Sequence, residues 1–180
     1  YLSKVKTIYG EIIKYATLAQ STLNLTETQN RRIMQLKLAN RNMVEIIRDV
    51  RELNRNVSKY LGSENTYIKD RYNNYRKLVI TVLRVIFLYR TELAREEFHK
   101  ELNVLRNKIE YSLEKENVNI DRLIREDLIT TDMASSLVND HDNVKVLMEK
   151  LIEVAQILYT SKDPLLNEIQ EGVNHMNTAA

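Results

Sequence analysis

Residues that break helices are almost absent from this chain. Its 180 residues include 3 glycines and 1 proline. Glycine and proline interrupt helices more strongly than any other residues, and a sheet protein of this length needs many turn residues. Hydrophobic residues make up 43% of the chain and charged residues 29%, which is a balance typical of long amphipathic helices. The sequence therefore predicts an all-α fold.

Hydrophobic residues recur at helical spacing in successive segments, and the pattern is clearest in the second. Two rows with a seven-residue repeat run along that segment: Leu36, Met43, Val50 and Val57, then Ala39, Ile46, Leu53 and Tyr60. Such a double row predicts a long helix that packs in a bundle. We expect Gly62 to end it in the left-handed conformation that glycine tolerates.

The same periodicity predicts the other elements and their order. We expect helices over residues 2–23, 26–61, 91–114 and 131–159, a third helix that begins at residue 63 or 64, and a final helix that begins at Pro164. The polar stretch 115–119 is predicted to be a loop. Helices of this length with short connections favour an antiparallel long-helix bundle.

The motifs of common enzyme classes are missing. Cysteine is absent, which excludes thiolate nucleophiles and thiolate metal sites. The three glycines stand far apart and cannot form a phosphate-binding loop, and no two of the three histidines have metal-ligand spacing. The net charge is +2, whereas nucleic-acid binding usually requires a strongly basic surface. We predict a protein that is not an enzyme and has no nucleic-acid partner.

The most apolar run, 78–89, is interrupted by Arg84. It is shorter than the roughly 20 residues that a membrane-spanning helix requires. The run also carries more hydrophobic residues than one helix stripe needs, which indicates contact with neighbouring helices or with a partner. A homodimer is one such partner. The chain begins at Tyr1 without an initiator methionine, and we interpret it as part of a longer protein.

Asp140 interrupts an otherwise hydrophobic row formed by Met133, Leu147 and Val154. A carboxylate at such a position needs a hydrogen-bonding partner, an opposite charge or a metal, because an unpaired buried charge is strongly destabilising. Two interpretations stay open. The first is pairing with an arginine or tyrosine from another helix, and the second is a metal or anion site.

Glu45 and Asp49 form a second group of acidic residues. Their spacing of four places both carboxylates on one face of the helix. Two like charges at this distance repel each other unless a cation lies between them or a lysine or arginine reaches over. Hard divalent cations bind such oxygens, but acidic pairs of this kind also occur on solvated faces.

Two stretches of the sequence are similar to a known family. The helix at 26–61 reads Leu38-Ala39-Asn40 and then Glu45-Ile46-Ile47-Arg48-Asp49, and the helix at 131–159 reads Leu137-Val138-Asn139-Asp140-His141-Asp142-Asn143-Val144. They resemble the two homologous helices of PhoU-like domains. In that family an acidic motif in a long helix precedes a small or polar step and an Asp-His-x-x-Asn type of signature. The similarity extends over about three quarters of the chain.

This resemblance implies a site and a domain organisation. Glu45 and Asp49 match both acidic positions of the first motif, and Asp140 matches the second acid of the other. Ser136 replaces the first acid there, and Asp132, one turn earlier, would compensate. These four residues are the implied ligands of a divalent or transition metal ion. The chain would be a single domain in which 1–62 form a partial first unit, 63–160 a second three-helix unit and 161–180 a C-terminal helix.

The resemblance also implies a function. PhoU-like domains regulate phosphate uptake, either as free regulators or as the cytoplasmic region of bacterial sodium-dependent phosphate cotransporters. We expect the second setting, with the transmembrane domain of the transporter as partner, on the cytoplasmic side of the inner membrane. The alternative is a structural helical-bundle or coiled-coil interaction module with no role in phosphate transport. A helical DNA-binding regulator ranks last, because its basic residues lie beside Glu45 and Asp49.

Overall fold

A computed structural model describes residues 2–92 and 95–159 of the protein, and these form five helices. They are α1 (Leu2–Thr22), α2 (Glu27–Leu61), α3 (Thr66–Glu92), α4 (Arg95–Arg125) and α5 (Thr131–Tyr159). The described residues contain no strand, so the all-α prediction is confirmed for this part of the chain. None of these helices is long and apolar enough to cross a membrane. The helix predicted from Pro164 lies outside the described residues.

Local sequence signals define the two ends of α2. The Thr26 hydroxyl accepts a hydrogen bond from the Gln29 N–H, and the Gln29 side chain accepts one from the Thr26 N–H. This reciprocal pair is a capping box, which satisfies two donors at the helix start. At the other end, Gly62 has a φ of −86° and donates its N–H to the Tyr60 carbonyl. The predicted left-handed conformation of Gly62 is therefore wrong, because the chain leaves α2 through a right-handed turn.

The predicted loop at 115–119 is also wrong, because α4 continues through it to Arg125. The apolar stripe of α4 runs from Leu113 to Ile120 and Leu123, all buried. One position of this stripe is occupied by a charged residue, Glu116, which lies at helical spacing between Leu113 and Ile120 and is itself buried. A charged residue at a core position made the stripe look interrupted.

Four of the helices surround one core, and α5 contacts three of the others, α2, α3 and α4. The largest fully buried side chains come from all four: Tyr60, Ile68, Tyr72, Tyr75, Phe98, Leu102, Ile120, Leu123, Leu137, Leu147, Met148 and Ile152. Helix α1 packs on α2, and no described residue of α1 is fully buried. The described part of the chain is thus a four-helix core with a fifth helix packed on α2.

Polar contacts run along the whole junction of α2 and α5, which we call the α2–α5 seam. Its pairs are Asn42 with Glu153, Asp49 with Lys150, Asn56 with Asp140, and Lys59 with Asp132. Residue numbers rise along α2 while they fall along α5. The seam therefore brings both predicted motif helices into direct contact over about five turns of α2.

Candidate functional site

The acidic pair of α2 lies against a lysine of α5. The Lys150 Nζ is 3.0 Å from Glu45 Oε2 and 2.8 Å from Asp49 Oδ2. Glu45 also accepts a hydrogen bond from Arg41 Nε at 2.9 Å. Of the arrangements left open for this pair, a bound cation, a basic side chain or a solvated face, the structure has the basic side chain. Lys150 neutralises the repulsion between two carboxylates one turn apart.

Charge pairing shifts the pKa values of these groups in opposite directions. Hydrogen bonds from Arg41 and then Lys150 lower the pKa of Glu45. Burial alone would lower the pKa of Lys150, but its hydrogen bonds to Asp49 and Glu45 outweigh that effect and raise it. The lysine is therefore held in its charged form, as a bridge between two helices requires.

Replacing Lys150 with methionine is expected to lower the free energy of unfolding by about 1–2 kcal/mol, because two largely buried carboxylates lose their shared cation. Only 14% of the Asp49 side chain and 23% of the Glu45 side chain is exposed. Urea denaturation measures the change. Lys145→Met is the matched control, since Lys145 is exposed on the same helix. Equal effects of the two substitutions would contradict the bridging role of Lys150.

Asp140 lies in the interior and is held by two neutral donors. Its Oδ2 accepts hydrogen bonds from the Tyr72 hydroxyl at 2.7 Å and from Asn56 Nδ2 at 2.8 Å. Only 4% of Asp140 is exposed. The tyrosine comes from α3, which agrees with the first interpretation of the interrupted row, pairing with a residue of another helix. Asp140 thus links α2, α3 and α5 through a single oxygen.

The tyrosine that donates to Asp140 belongs to a cluster of buried aromatic rings. Tyr60 stacks on Tyr72 with ring centroids 4.9 Å apart, and Tyr72 meets Tyr75 edge-on at 6.0 Å. Burial and the hydrogen bond to Asp140 raise the pKa of Tyr72. The tyrosine therefore keeps its proton and serves as a permanent donor to Asp140.

Tyr75 of α3 makes a second buried polar contact with α5. Its hydroxyl lies 3.2 Å from His141 Nδ1, and both residues are buried. Burial lowers the pKa of His141, although the charge of Asp142 opposes that effect. The histidine therefore favours its neutral form inside the bundle, where its ring nitrogen can share a proton with Tyr75.

The lowered pKa of His141 makes stability depend on pH. A histidine whose folded-state pKa lies below its unfolded value, about 6.5, stabilises the fold above that pH. This contribution is lost as the pH falls through the folded-state pKa. We expect His141→Gln to weaken the acid destabilisation seen by urea denaturation between about pH 7 and about pH 5. His99→Gln, at an exposed position of α4, should leave it unchanged, and an unchanged profile in His141→Gln would refute the assignment.

Arg71 and Glu116 form a buried ion pair that the sequence patterns did not indicate. Arg71 Nη1 is 3.1 Å from each carboxylate oxygen of Glu116, and the pair joins α3 to α4. Burial raises the pKa of Glu116, while Arg71 opposes that effect. The spacing from Leu113 to Ile120 was the signal that could have narrowed the buried position of this stretch to Glu116 or Asn117.

Asp132 occupies the exposed end of the seam. Its Oδ2 accepts a hydrogen bond from Lys59 Nζ at 3.0 Å, which lowers the pKa of Asp132. The Tyr60 hydroxyl is 3.1 Å from Ser136 Oγ. Ser136 therefore positions the tyrosine that stacks on Tyr72.

The four predicted metal ligands lie at three places along the seam. Glu45 and Asp49 share Lys150, Asp140 lies in the interior, and Asp132 lies about 12 Å further along α5 at 1.5 Å per residue. Within residues 2–92 and 95–159 there is no group of three or more acidic or histidine side chains that could hold a metal ion. The Lys150 ammonium already lies between the two carboxylates that a metal would bridge. In this arrangement the donor set does not fit a metal.

A cavity of about 250 Å³ opens between α4 and α5, beside His141. Its walls are mainly charged and carry Glu110, Glu114, Asp142 and Lys145. Three acidic side chains against one lysine give these walls a net negative charge, so the cavity is not suited to binding an anion. Comparison with protein-family models, with curated proteins and with solved structures gives no match for this chain.

Proposed function

We propose that this chain is a non-enzymatic, PhoU-like regulatory domain of a sodium-dependent phosphate cotransporter. It would act on the cytoplasmic side of the inner membrane, contact the transmembrane domain and control phosphate uptake as an antiparallel bundle. One observation carries the proposal. The residues that resemble the two family motifs, Glu45 and Asp49 on α2 and Asp140 on α5, all lie in the α2–α5 seam.

The chemistry of the seam is suited to regulation. The pair at one end of the seam, Lys59 with Asp132, is largely exposed, and an exposed ion pair contributes only about 0–1 kcal/mol. It can exchange partners at low cost, whereas Asp140 and its two donors hold the helices together inside. A domain of this kind can shift its outer contacts when the transporter changes state and still remain folded.

A direct test measures phosphate uptake in cells that carry the full-length gene. Lys150→Met is expected to alter how uptake responds to external phosphate, because it removes the central cation of the seam. Lys145→Met on the same helix is the control. Uptake that responds identically in the wild type and in Lys150→Met would argue against the proposal. Membrane-spanning segments encoded before Tyr1 would support it.

Metal binding through Glu45, Asp49, Asp132 and Asp140 stays a prediction. It requires Lys150 to leave the acidic pair, so no step of the proposed regulation depends on a metal. Protein purified without chelators should be assayed for metal content together with Glu45→Ala and Asp140→Ala. Stoichiometric metal that both substitutions remove would establish the site, and metal-free preparations would refute it.

The alternative function, a structural interaction module, is favoured by the outer face of α1. There Ile8 is 60% and Tyr15 77% exposed, and Ile12 lies between them at helical spacing. An exposed apolar stripe of this kind is typical of a protein interface. Sedimentation velocity distinguishes the two functions. A stable homodimer that Ile8→Ser with Tyr15→Ser abolishes, together with unchanged phosphate uptake, would favour the interaction module.

A further inference from the structure

One stretch of α3 concentrates positive charge. Between Tyr72 and Thr91 the chain carries Arg76, Lys77, Arg84 and Arg90 and neither aspartate nor glutamate. The protein as a whole is nearly balanced, with 27 basic and 25 acidic residues. Four uncompensated basic residues in eighteen positions therefore form the strongest local charge on this helix.

The same stretch exposes large hydrophobic side chains. Ile80 is 51%, Leu83 47% and Phe87 63% exposed, and their spacing of three and then four places them on one face of the helix. The basic residues lie along the same face, and Arg90 extends over the Phe87 ring with its guanidinium 5.0 Å from the ring centroid. We call these seven residues the outer α3 face.

The fold does not need this face for its own packing. The opposite side of α3 carries the core residues, with Tyr75 and Val82 fully buried and Val79 and Ile86 packed against the core. Helices α2, α4 and α5 all contact α3. Exposing three large hydrophobic residues to water is unfavourable, so their presence outside the core indicates a contact beyond the described bundle.

We propose that the outer α3 face binds the surface of an anionic phospholipid bilayer. Apolar side chains in the centre of such a face enter the boundary between headgroups and acyl chains, and the basic residues around them contact lipid phosphates. From Arg76 to Arg90 the face is about 21 Å long at 1.5 Å per residue. Long arginine and lysine side chains can extend to the headgroups while their stems stay beside the hydrocarbon.

An anionic bilayer fits this face better than an acidic protein does. The face is the outward, convex side of a single helix, whereas helix recognition by proteins usually needs a groove. Its basic residues are distributed along its whole length around a hydrophobic centre, which matches a flat, uniformly charged surface. The inference does not rest on the proposed regulatory role, because the isolated chain would bind lipid whether or not it controls phosphate uptake.

The test is sedimentation of the full chain with vesicles of phosphatidylcholine alone and of phosphatidylcholine mixed with phosphatidylglycerol. We expect binding to the mixed vesicles only, and weaker binding as salt is added. Phe87→Ser should reduce the partition coefficient about tenfold, and Arg84→Gln about fivefold. Tyr111→Ser and Lys108→Gln on α4 are matched controls, since both residues are exposed away from this face. Circular dichroism establishes that every variant is folded.

Two results would overturn the proposal. One is that the folded chain fails to bind the mixed vesicles at low salt. The other is that Phe87→Ser and Tyr111→Ser reduce binding equally, which would indicate a diffuse interaction. If Phe87→Ser instead abolishes self-association in vesicle-free solution and vesicles are not bound, the outer α3 face is an interface between two copies of the chain and the lipid proposal is wrong.

Discussion

Replacing Arg71 with methionine is expected to lower the free energy of unfolding by about 3 kcal/mol near neutral pH. The substitution keeps most of the hydrophobic stem but removes the cation that faces Glu116. Only 8% of the Glu116 side chain is exposed, so its carboxylate cannot recover the lost interaction from water. Urea denaturation monitored by circular dichroism measures the change.

The pH dependence of this effect identifies its cause. The pKa of Glu116 is raised in the folded state. Its contribution to stability is therefore fully present below the pKa of glutamate in the unfolded chain, about 4.3, and is lost as the pH rises through the folded-state pKa. Without Arg71 the folded-state pKa of Glu116 rises further, so the stability lost in Arg71→Met should become smaller as the pH falls.

A double variant separates the lost charge pair from lost packing. Arg71→Met combined with Glu116→Gln removes both charges and should recover most of the stability, because a neutral amide costs less to bury than a carboxylate. Arg76→Met, at an exposed position of the same helix, is the control for the substitution itself. A double variant as unstable as Arg71→Met would mean that packing, and not the buried charge, determines the loss.

Asp140→Ala is expected to lower the free energy of unfolding by about 2–3 kcal/mol. The change leaves the Tyr72 hydroxyl, which is fully buried, without its acceptor, and it also deprives Asn56 of one. Each unsatisfied buried donor costs about 1–3 kcal/mol. The smaller alanine side chain adds a cavity to this cost. The loss is measured by urea denaturation.

Asp140→Asn keeps an acceptor oxygen and removes the charge. We expect it to change stability by less than about 1 kcal/mol, because both donors keep a partner and no charge needs to be buried. Asp142→Ala, at the exposed position two residues on, should have little effect. If Asp140→Asn is as harmful as Asp140→Ala, the negative charge itself is needed, which would favour an unseen cation near Asp140.

Much of the fold follows from periodicity alone. The bounds of α5 were predicted to the residue and those of α2 to within one, because hydrophobic residues recur at helical spacing along the whole length of each helix. The error at 115–119 has a physical origin. A hydrophobicity pattern treats every charged residue as exposed, whereas Glu116 is buried with Arg71 of a different helix as its charged partner.

The candidate site could be predicted only in part for the same reason. The interrupted row identified Asp140 as buried, and the spacing of Glu45 and Asp49 indicated either a nearby cation or a solvated acidic face. The identity of the partners Tyr72, Asn56 and Lys150 depends on which helices are neighbours and on their relative register. These are properties of tertiary packing, and no local pattern in one helix contains them.

Because α1 packs mainly on one helix among the described residues, α2, the protein is expected to lose its structure in stages. Detaching α1 breaks contacts such as that of Lys37 with Gln20 and Thr17 and uncovers side chains of α2 that are only half-buried. The buried tyrosines of the core stay covered by the other helices. Amide protons of α1 should therefore exchange with solvent through local opening, whereas those of α5 exchange only when the whole molecule opens.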